Sequence, residues 1–356
     1  MFNRFVFVLL SMLASLNWLQ AGEPWAIMTG QSVVEVRAGL RHIYQRLGRK
    51  DLVAALDSAA VTNLVTGNLK GLDLNRPLGC VVLPNQSGVG IVITFIPMTG
   101  EQAFLEFLGR HLLTVNTDSL GKPSITVPFL GTVHIRFDQQ YAWFAFSADD
   151  LAGPLPDIAK IIPARHREVQ LAATIYLDRL PTDQRQVWLQ RGQQGLDWLL
   201  KGSPQSSGQL TETLGLQVGG LLMKRLSEDA KEVTVLATTD RKSDQLWGKI
   251  LVTPRPDVPW VVKVQQLAAN PVRYEVPASL WAKVRGKSDE VAARAAQSAF
   301  KKGESDKLVL TMKGGEQLEL KAELSGAMLA YHAALDQGES KPTLKERIRE
   351  RRRSKP

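Results

Sequence analysis

Val133-His134-Ile135-Arg136-Phe137-Asp138, followed by Tyr141-Ala142-Trp143-Phe144-Ala145-Phe146, is the stretch that decides the fold. In the first segment Val133, Ile135 and Phe137 alternate with His134, Arg136 and Asp138, the period-two signature of a strand with one wet face. In the second, Tyr141, Trp143 and Ala145 alternate with Ala142, Phe144 and Phe146. Both faces are apolar there, so this strand is expected at the centre of a sheet, covered on both sides. Strands this close in sequence favour hairpins, and hairpins favour an antiparallel sheet.

Working back from this point, a strand near 124–128 precedes the pair. Further upstream, Cys80 to Leu83 and Val89 to Ile96 read as strands separated by the turn Asn85-Gln86-Ser87-Gly88. Pro97 ends the second of these, and Thr99 with Gln102 has the form of a capping box for the helix carrying Phe104, Leu105 and Leu108. Two helices come earlier, over 33–47 (ended by Gly48) and about 51–66. Downstream, strands are expected at 169–177, 233–238 and 246–253, with helices at 181–200, 211–227, 258–268, 288–301 and 325–335. A hairpin, Lys307 to Met312 and Gln317 to Leu324, turns at Gly314-Gly315. Strand, turn, strand, proline, helix occurs at 80–108 and again at 232–268. The expected fold is therefore α+β, with two modules of antiparallel sheet and covering helices, related as a diverged duplication. The boundaries are 1–21 for a leader, 22–166 and 167–337 for the modules, and 338–356 for a tail.

The two ends carry signals of their own. Arg4, the apolar run from Phe5 to Leu16 and the small residue Ala21 follow the order of a secretory signal peptide. The apolar run is shorter than a comfortable bilayer span, so an exported, periplasmic or secreted protein is expected, with an uncleaved anchor as the alternative because Leu19 stands where a small residue usually precedes the cut. Net charge is +9, but most of it sits in the tail. Lys341, Lys345, Arg347, Arg349, Arg351, Arg352, Arg353 and Lys355 stand there against Glu346 and Glu350. The body is nearly neutral, which argues against a groove that tracks nucleic-acid phosphates. A solvated basic end is the simpler reading of the tail. The functional reading is a tether to anionic lipid or polymer through Arg347, Arg349, Arg351, Arg352 and Arg353.

The familiar chemistries need residues at set spacings, and the chain departs from each. The single cysteine, Cys80, is flanked by Gly79, Val81, Val82 and Leu83 and reads as a small buried hydrophobe in a strand. His42, His111, His134, His166 and His332 have no partner at a zinc spacing, so no metal is expected. Gly286-Lys287-Ser288 ends like a phosphate loop, but Trp281 stands where the first glycine belongs. Ser119–Lys122 and Ser298–Lys301 lack the companion motifs of penicillin-recognising enzymes. Asp149-Asp150 and Asp178 read as turn or cap residues. No cofactor is expected.

Gly71-Leu72-Asp73-Leu74-Asn75-Arg76-Pro77-Leu78-Gly79 is similar to the G-x-D-x-x-R-P-L-G loop of an exported family common in planctomycetes. Ile96-Pro97-Met98 with the following helix resembles that family's V-P-V segment. Tyr141 to Phe146 resembles its G-Y-A-Y/F strand, with Gln140 in place of the glycine. Ile175 to Pro181 is similar to its D-L-D-R-I-P segment. The resemblance spans about residues 30–335. It implies an export signal and a two-part α+β fold, and no reaction. Asp73, Arg76 and Pro77 are expected to structure the loop.

The leading expectation is a non-catalytic envelope protein with a binding or scaffolding role. One alternative is a carrier of lipid or lipoprotein with an apolar cavity. The other is a hydrolase whose residues meet only in space, with Arg76, Asp73, His134 and Asp178 as first suspects.

Overall fold

The strand at the centre of the molecule is one that no sequence pattern announced. In the computed structural model, which describes residues 23–57, 71–84, 90–110, 114–118, 121–127, 131–187, 228–256, 258, 268, 270–284, 288–300 and 307–337, Ala26–Gly30 forms β1. The expected leader, the helices at 211–227 and most of 258–268, the turn 85–88 and the tail arginines lie outside these residues.

Ser32 then caps α1 (Val33–Arg46), its hydroxyl accepting the Glu35 N–H at 3.1 Å. Gly48, at φ +65°, turns the chain out of that helix, and α2 (Lys50–Asp57) follows. β2 (Leu78–Pro84) and β3 (Gly90–Pro97) form a hairpin. Next come α3 (Glu101–Arg110), β4 (Thr114–Thr117), β5 (Pro123–Val127), β6 (Gly131–Asp138) and β7 (Tyr141–Ala145). Gln102 reaches forward to Glu106 at 3.2 Å instead of back towards Thr99, so the capping box does not take the expected form.

A 3-10 turn (Asp149–Leu151), the short α4 (Ile158–Ile161) and a second 3-10 turn (Ala164–Glu168) lead to β8 (Leu171–Tyr176). Residues 182–187 are helical. The second half contains β9 (Ala230–Asp240), β10 (Gln245–Pro254), β11 (Val272–Pro277), α5 (Ala278–Val284), α6 (Asp289–Ala299), β12 (Lys307–Lys313), β13 (Leu318–Ser325) and α7 (Gly326–Gln337).

All thirteen described strands belong to one antiparallel sheet with the order β11-β12-β13-β10-β9-β8-β1-β2-β3-β7-β6-β5-β4. β1 is the seam. It pairs with β2 on one side (Ile27 with Val81) and β8 on the other (Ile27 with Thr174). The two halves share an unbroken ladder of backbone hydrogen bonds and are not separate sheets.

Every residue of β7 is buried, as its two-sided apolar pattern requires. Tyr141, Trp143 and Ala145 pack with Val81, Ile93, Phe95 and the Leu151–Ile162 segment on one face. Ala142 and Phe144 pack with Phe104, Phe107 and Leu108 of α3 on the other. In the second half α5, α6 and α7 cover Leu308, Ala322 and Leu324. On that same face, by register, Leu171, Val235, Ile250, Leu310 and Tyr274 are exposed, Val235 at 47%. Cys80 is buried on β2, and burial pushes its thiol up to about 12.

Candidate binding site at the seam

The two glycines of the Gly71–Gly79 loop are demanded by close approach. Gly71 has φ +117°, and a Cβ there would lie 2.4 Å from the Ala103 carbonyl oxygen of α3. A Cβ on Gly79 would lie 2.0 Å from the Met28 carbonyl oxygen of β1. Between them the loop is pinned to the end of β3. The Asp73 N–H donates to the Pro97 carbonyl at 3.1 Å, and the Thr99 N–H donates to the Gly71 carbonyl at 2.9 Å. The Asp73 carboxylate accepts the Asn75 N–H at 3.1 Å, a side-chain mimic of a backbone turn.

This anchoring presents Arg76. Its guanidinium carbon stands 4.3 Å from the centre of the Tyr141 ring, a cation–π contact. One terminal nitrogen donates to Gln140 Oε1 at 2.9 Å, and the other reaches the Gln139 carbonyl at 3.5 Å. Gln139 and Gln140 form the two-residue turn between β6 and β7, with φ +51° and +62°. Two-residue hairpins of this kind favour glycine or asparagine, because the left-handed region crowds a Cβ. Tyr141 is buried, with Phe95 edge-on at 5.7 Å. Burial raises its hydroxyl pKa, and the charge of Arg76 pulls it back.

The second wall comes from the chain between α4 and β8. The Arg167 guanidinium donates to the Ala159 carbonyl at 2.6 Å, and Gln31 donates to the Arg167 carbonyl at 3.2 Å. Beside it His166 is 1% exposed. Its Nδ1 lies 2.9 Å from the Thr29 hydroxyl and its Nε2 lies 2.7 Å from the Thr174 hydroxyl. Thr174 lies 2.7 Å from the Thr234 hydroxyl, which donates to Glu232 at 3.2 Å. Glu232 also pairs with Arg165.

The donor sense along this chain follows from its end. An ionised carboxylate only accepts. Thr234 therefore spends its proton on Glu232 and must accept from Thr174. Thr174 in turn accepts from His166 Nε2–H, leaving Nδ1 to accept from Thr29. This assigns the neutral Nε2–H tautomer. Burial, and next the neighbouring Arg165 charge, push the imidazole down to about 4.

Together these residues line a cleft of about 560 Å³, where Thr29, Gln31, Arg76, Tyr141, His166 and Arg167 converge. That volume is within the range of small-molecule sites. His166 has both ring nitrogens engaged, so at neutral pH it offers no lone pair to a ligand. The groups left to meet a ligand are the guanidiniums of Arg76 and Arg167, the Gln31 amide and the carboxylate of Asp157, which also lines the cleft.

The hydrolase suspects do not converge. Asp73 and Arg76 share the loop. His134 lies in the middle of β6 opposite Ser124 and Ala145, four residues along the strand from Asp138, which borders the Gln139–Gln140 turn. Asp178 follows β8, its N–H bonded to the Lys231 carbonyl. It stands at the end of β8 away from Leu171, which pairs with Gly30 near the cleft. Sequence reasoning missed His166 and Arg167. The signal available was three consecutive titratable residues, Arg165-His166-Arg167, just ahead of an apolar strand. Among the described residues no group of three or more histidine, cysteine or carboxylate side chains is placed to hold a metal. No helix among them is long and apolar enough to cross a membrane.

Fold and site define a large antiparallel α+β protein with a cleft of mixed polar and apolar lining at the junction of its halves. The sequence matches no defined protein family and no curated protein. Among solved structures, crystal form IV of TP0453 is 11% identical over 90% of this chain and 98% of that one, with a TM-score of 0.34. Crystal form I of TP0453 is 10% identical over 91% and 99%, with a TM-score of 0.32.

Proposed function

We propose that this chain is a non-catalytic, exported binding protein of the cell envelope, and that the seam cleft is its ligand site. What carries the reading is the state of His166. This imidazole of the cleft wall is neutral, buried and bonded at both nitrogens, so it is spent as a base, while the guanidiniums of Arg76 and Arg167 keep N–H donors for a ligand. Export rests on the order of charge, apolar run and small residue over 1–21. The likeness of the Gly71–Gly79 loop to the planctomycete family supports the same assignment. Native mass spectrometry of the protein recovered from the envelope of producing cells tests it, and a discrete co-purifying molecule is expected. A purified chain that hydrolyses ester or phosphoester substrates would overturn it.

A diverged duplication accounts for the topology. β1-β2-β3-β7-β6-β5 and β8-β9-β10-β13-β12-β11 follow the same order outward from the seam. In each, a proline (Pro97, Pro254) closes the second hairpin strand. A superposition of the halves that failed to align strand on strand would dispose of this reading.

Carriage of apolar cargo is the second reading. It rests on the exposed row Leu171, Val235, Ile250 and Leu310. Organic extraction of the native protein should release stoichiometric lipid if it holds.

A further inference from the structure

We propose that the seam cleft binds an oxyanion, a carboxylate or phosphate group, between the guanidiniums of Arg76 and Arg167. The inference rests on the binding role assigned above and names the chemistry of its ligand.

Two cations share one cavity of small-molecule size, walled also by Pro77, Ile158 and Ile162, and neutral acceptors hold both. Arg76 is bonded to Gln140 Oε1 and the Gln139 carbonyl, and Arg167 to the Ala159 carbonyl. These bonds orient the forks without cancelling their charge, and each guanidinium has five N–H donors to share. Of the carboxylates, Asp157 lines the cleft and Asp73 belongs to the loop that carries Arg76, and each has partners of its own. Asp157 accepts the Ala159 N–H at 3.0 Å and faces Lys160 at 3.4 Å, and Asp73 holds the Asn75 N–H. The cleft thus offers two guanidiniums against the one carboxylate of Asp157, next to the Gln31 amide. A guanidinium fork matches the two acceptor oxygens of a carboxylate or phosphate. The strained Gln139–Gln140 turn fits this account. Residues kept in the left-handed region concentrate at sites where the backbone must aim a side chain, and here the turn supplies both acceptors that aim Arg76.

The test is calorimetric titration of the purified chain with inorganic phosphate, succinate and dihexanoyl phosphatidic acid at low salt. Saturable binding of at least one is expected. Preference for phosphate or succinate identifies a free solute, and preference for the phosphatidic acid identifies a lipid headgroup. Arg76→Gln and Arg167→Gln should each weaken binding about tenfold or more. Arg241→Gln, which breaks a surface pair with Glu35 elsewhere, should not. Arg167 is exposed, so its variant keeps the test valid even if Arg76→Gln fails to fold. No saturable binding of any probe, or equal binding by Arg167→Gln, overturns the oxyanion site. A neutral molecule co-purifying with the native protein would overturn it too, while leaving the binding role standing.

Discussion

The Nε2 of His166 lies 2.7 Å from the hydroxyl of Thr174, and this contact pins the 3-10 turn of the cleft wall to the strand beside the seam. Thr174 pairs in register with Ile27 of β1 and Thr234 of β9. The histidine is therefore a structural post under the junction of the two halves, and its protonation state bears on the whole sheet.

Stability should fall with acid through this group. The unfolded chain's histidine takes a proton near the ordinary 6.5, the folded one only near 4. Between those values the unfolded state binds more protons, so unfolding is favoured as pH drops. The contribution is whole above pH 6.5 and gone by about pH 4, a loss of about 3 kcal/mol. Urea unfolding at pH 7 and pH 4.5 measures it. His166→Asn should be less stable at pH 7 and show a flatter pH dependence over the same window.

Thr174→Val should cost about 2 kcal/mol, because it strands the buried Nε2–H and the Thr234 hydroxyl without their partner. Thr234→Val breaks the same chain one step further on. The double variant should cost less than the sum of the singles, since the groups act as one network. Additive losses in urea titrations would refute the shared network.

Gly71→Ala should lower the melting temperature sharply, losing about 3 kcal/mol. It puts a Cβ both into the left-handed region and onto the backbone of α3. At Gly100, beside the same helix, an added Cβ would have nothing within 4 Å, so Gly100→Ala should be nearly neutral. Differential scanning calorimetry of the two variants is the comparison.

Gln139→Gly should stabilise the protein by about 1 kcal/mol, because glycine takes φ > 0 without the Cβ cost. Gln140→Gly should gain less, since it also removes the Oε1 that holds Arg76. Equal gains in thermal unfolding would show that the Arg76 contact contributes nothing to stability.

Cys80 should be inert in the folded chain. Its thiol is buried and held far above the ordinary cysteine range. A thiol reagent at pH 8 should find no reactive group in the native protein and one per chain in denaturant. Rapid native labelling would mean that β2 opens readily.

The sequence by itself determined the strands whose patterns are complete in a short window. β6 and β7, the β2–β3 and β12–β13 hairpins, and helices α1, α6 and α7 follow from period and punctuation, because local burial imposes that period. β11 was not among the expected strands, although Val272, Tyr274 and Val276 alternate there with Arg273 and Glu275. β1 carries no such signal. Ala26–Gly30 is five residues, its core positions covered on both faces, and continuous burial erases alternation. The Gly71–Gly79 loop reads from its motif as one that Asp73, Arg76 and Pro77 structure, and in it Asp73 and Arg76 are hydrogen-bonded.

The tertiary structure alone decided the seam and the cleft. His166 and Thr29 meet across 137 positions, and Arg76 and Gln140 across 64. Such pairs leave no local trace, because one antiparallel sheet brings together residues that chain distance keeps apart. Only the placement of β1 between β2 and β8 turns two halves with a common order into one body with a cleft at its middle.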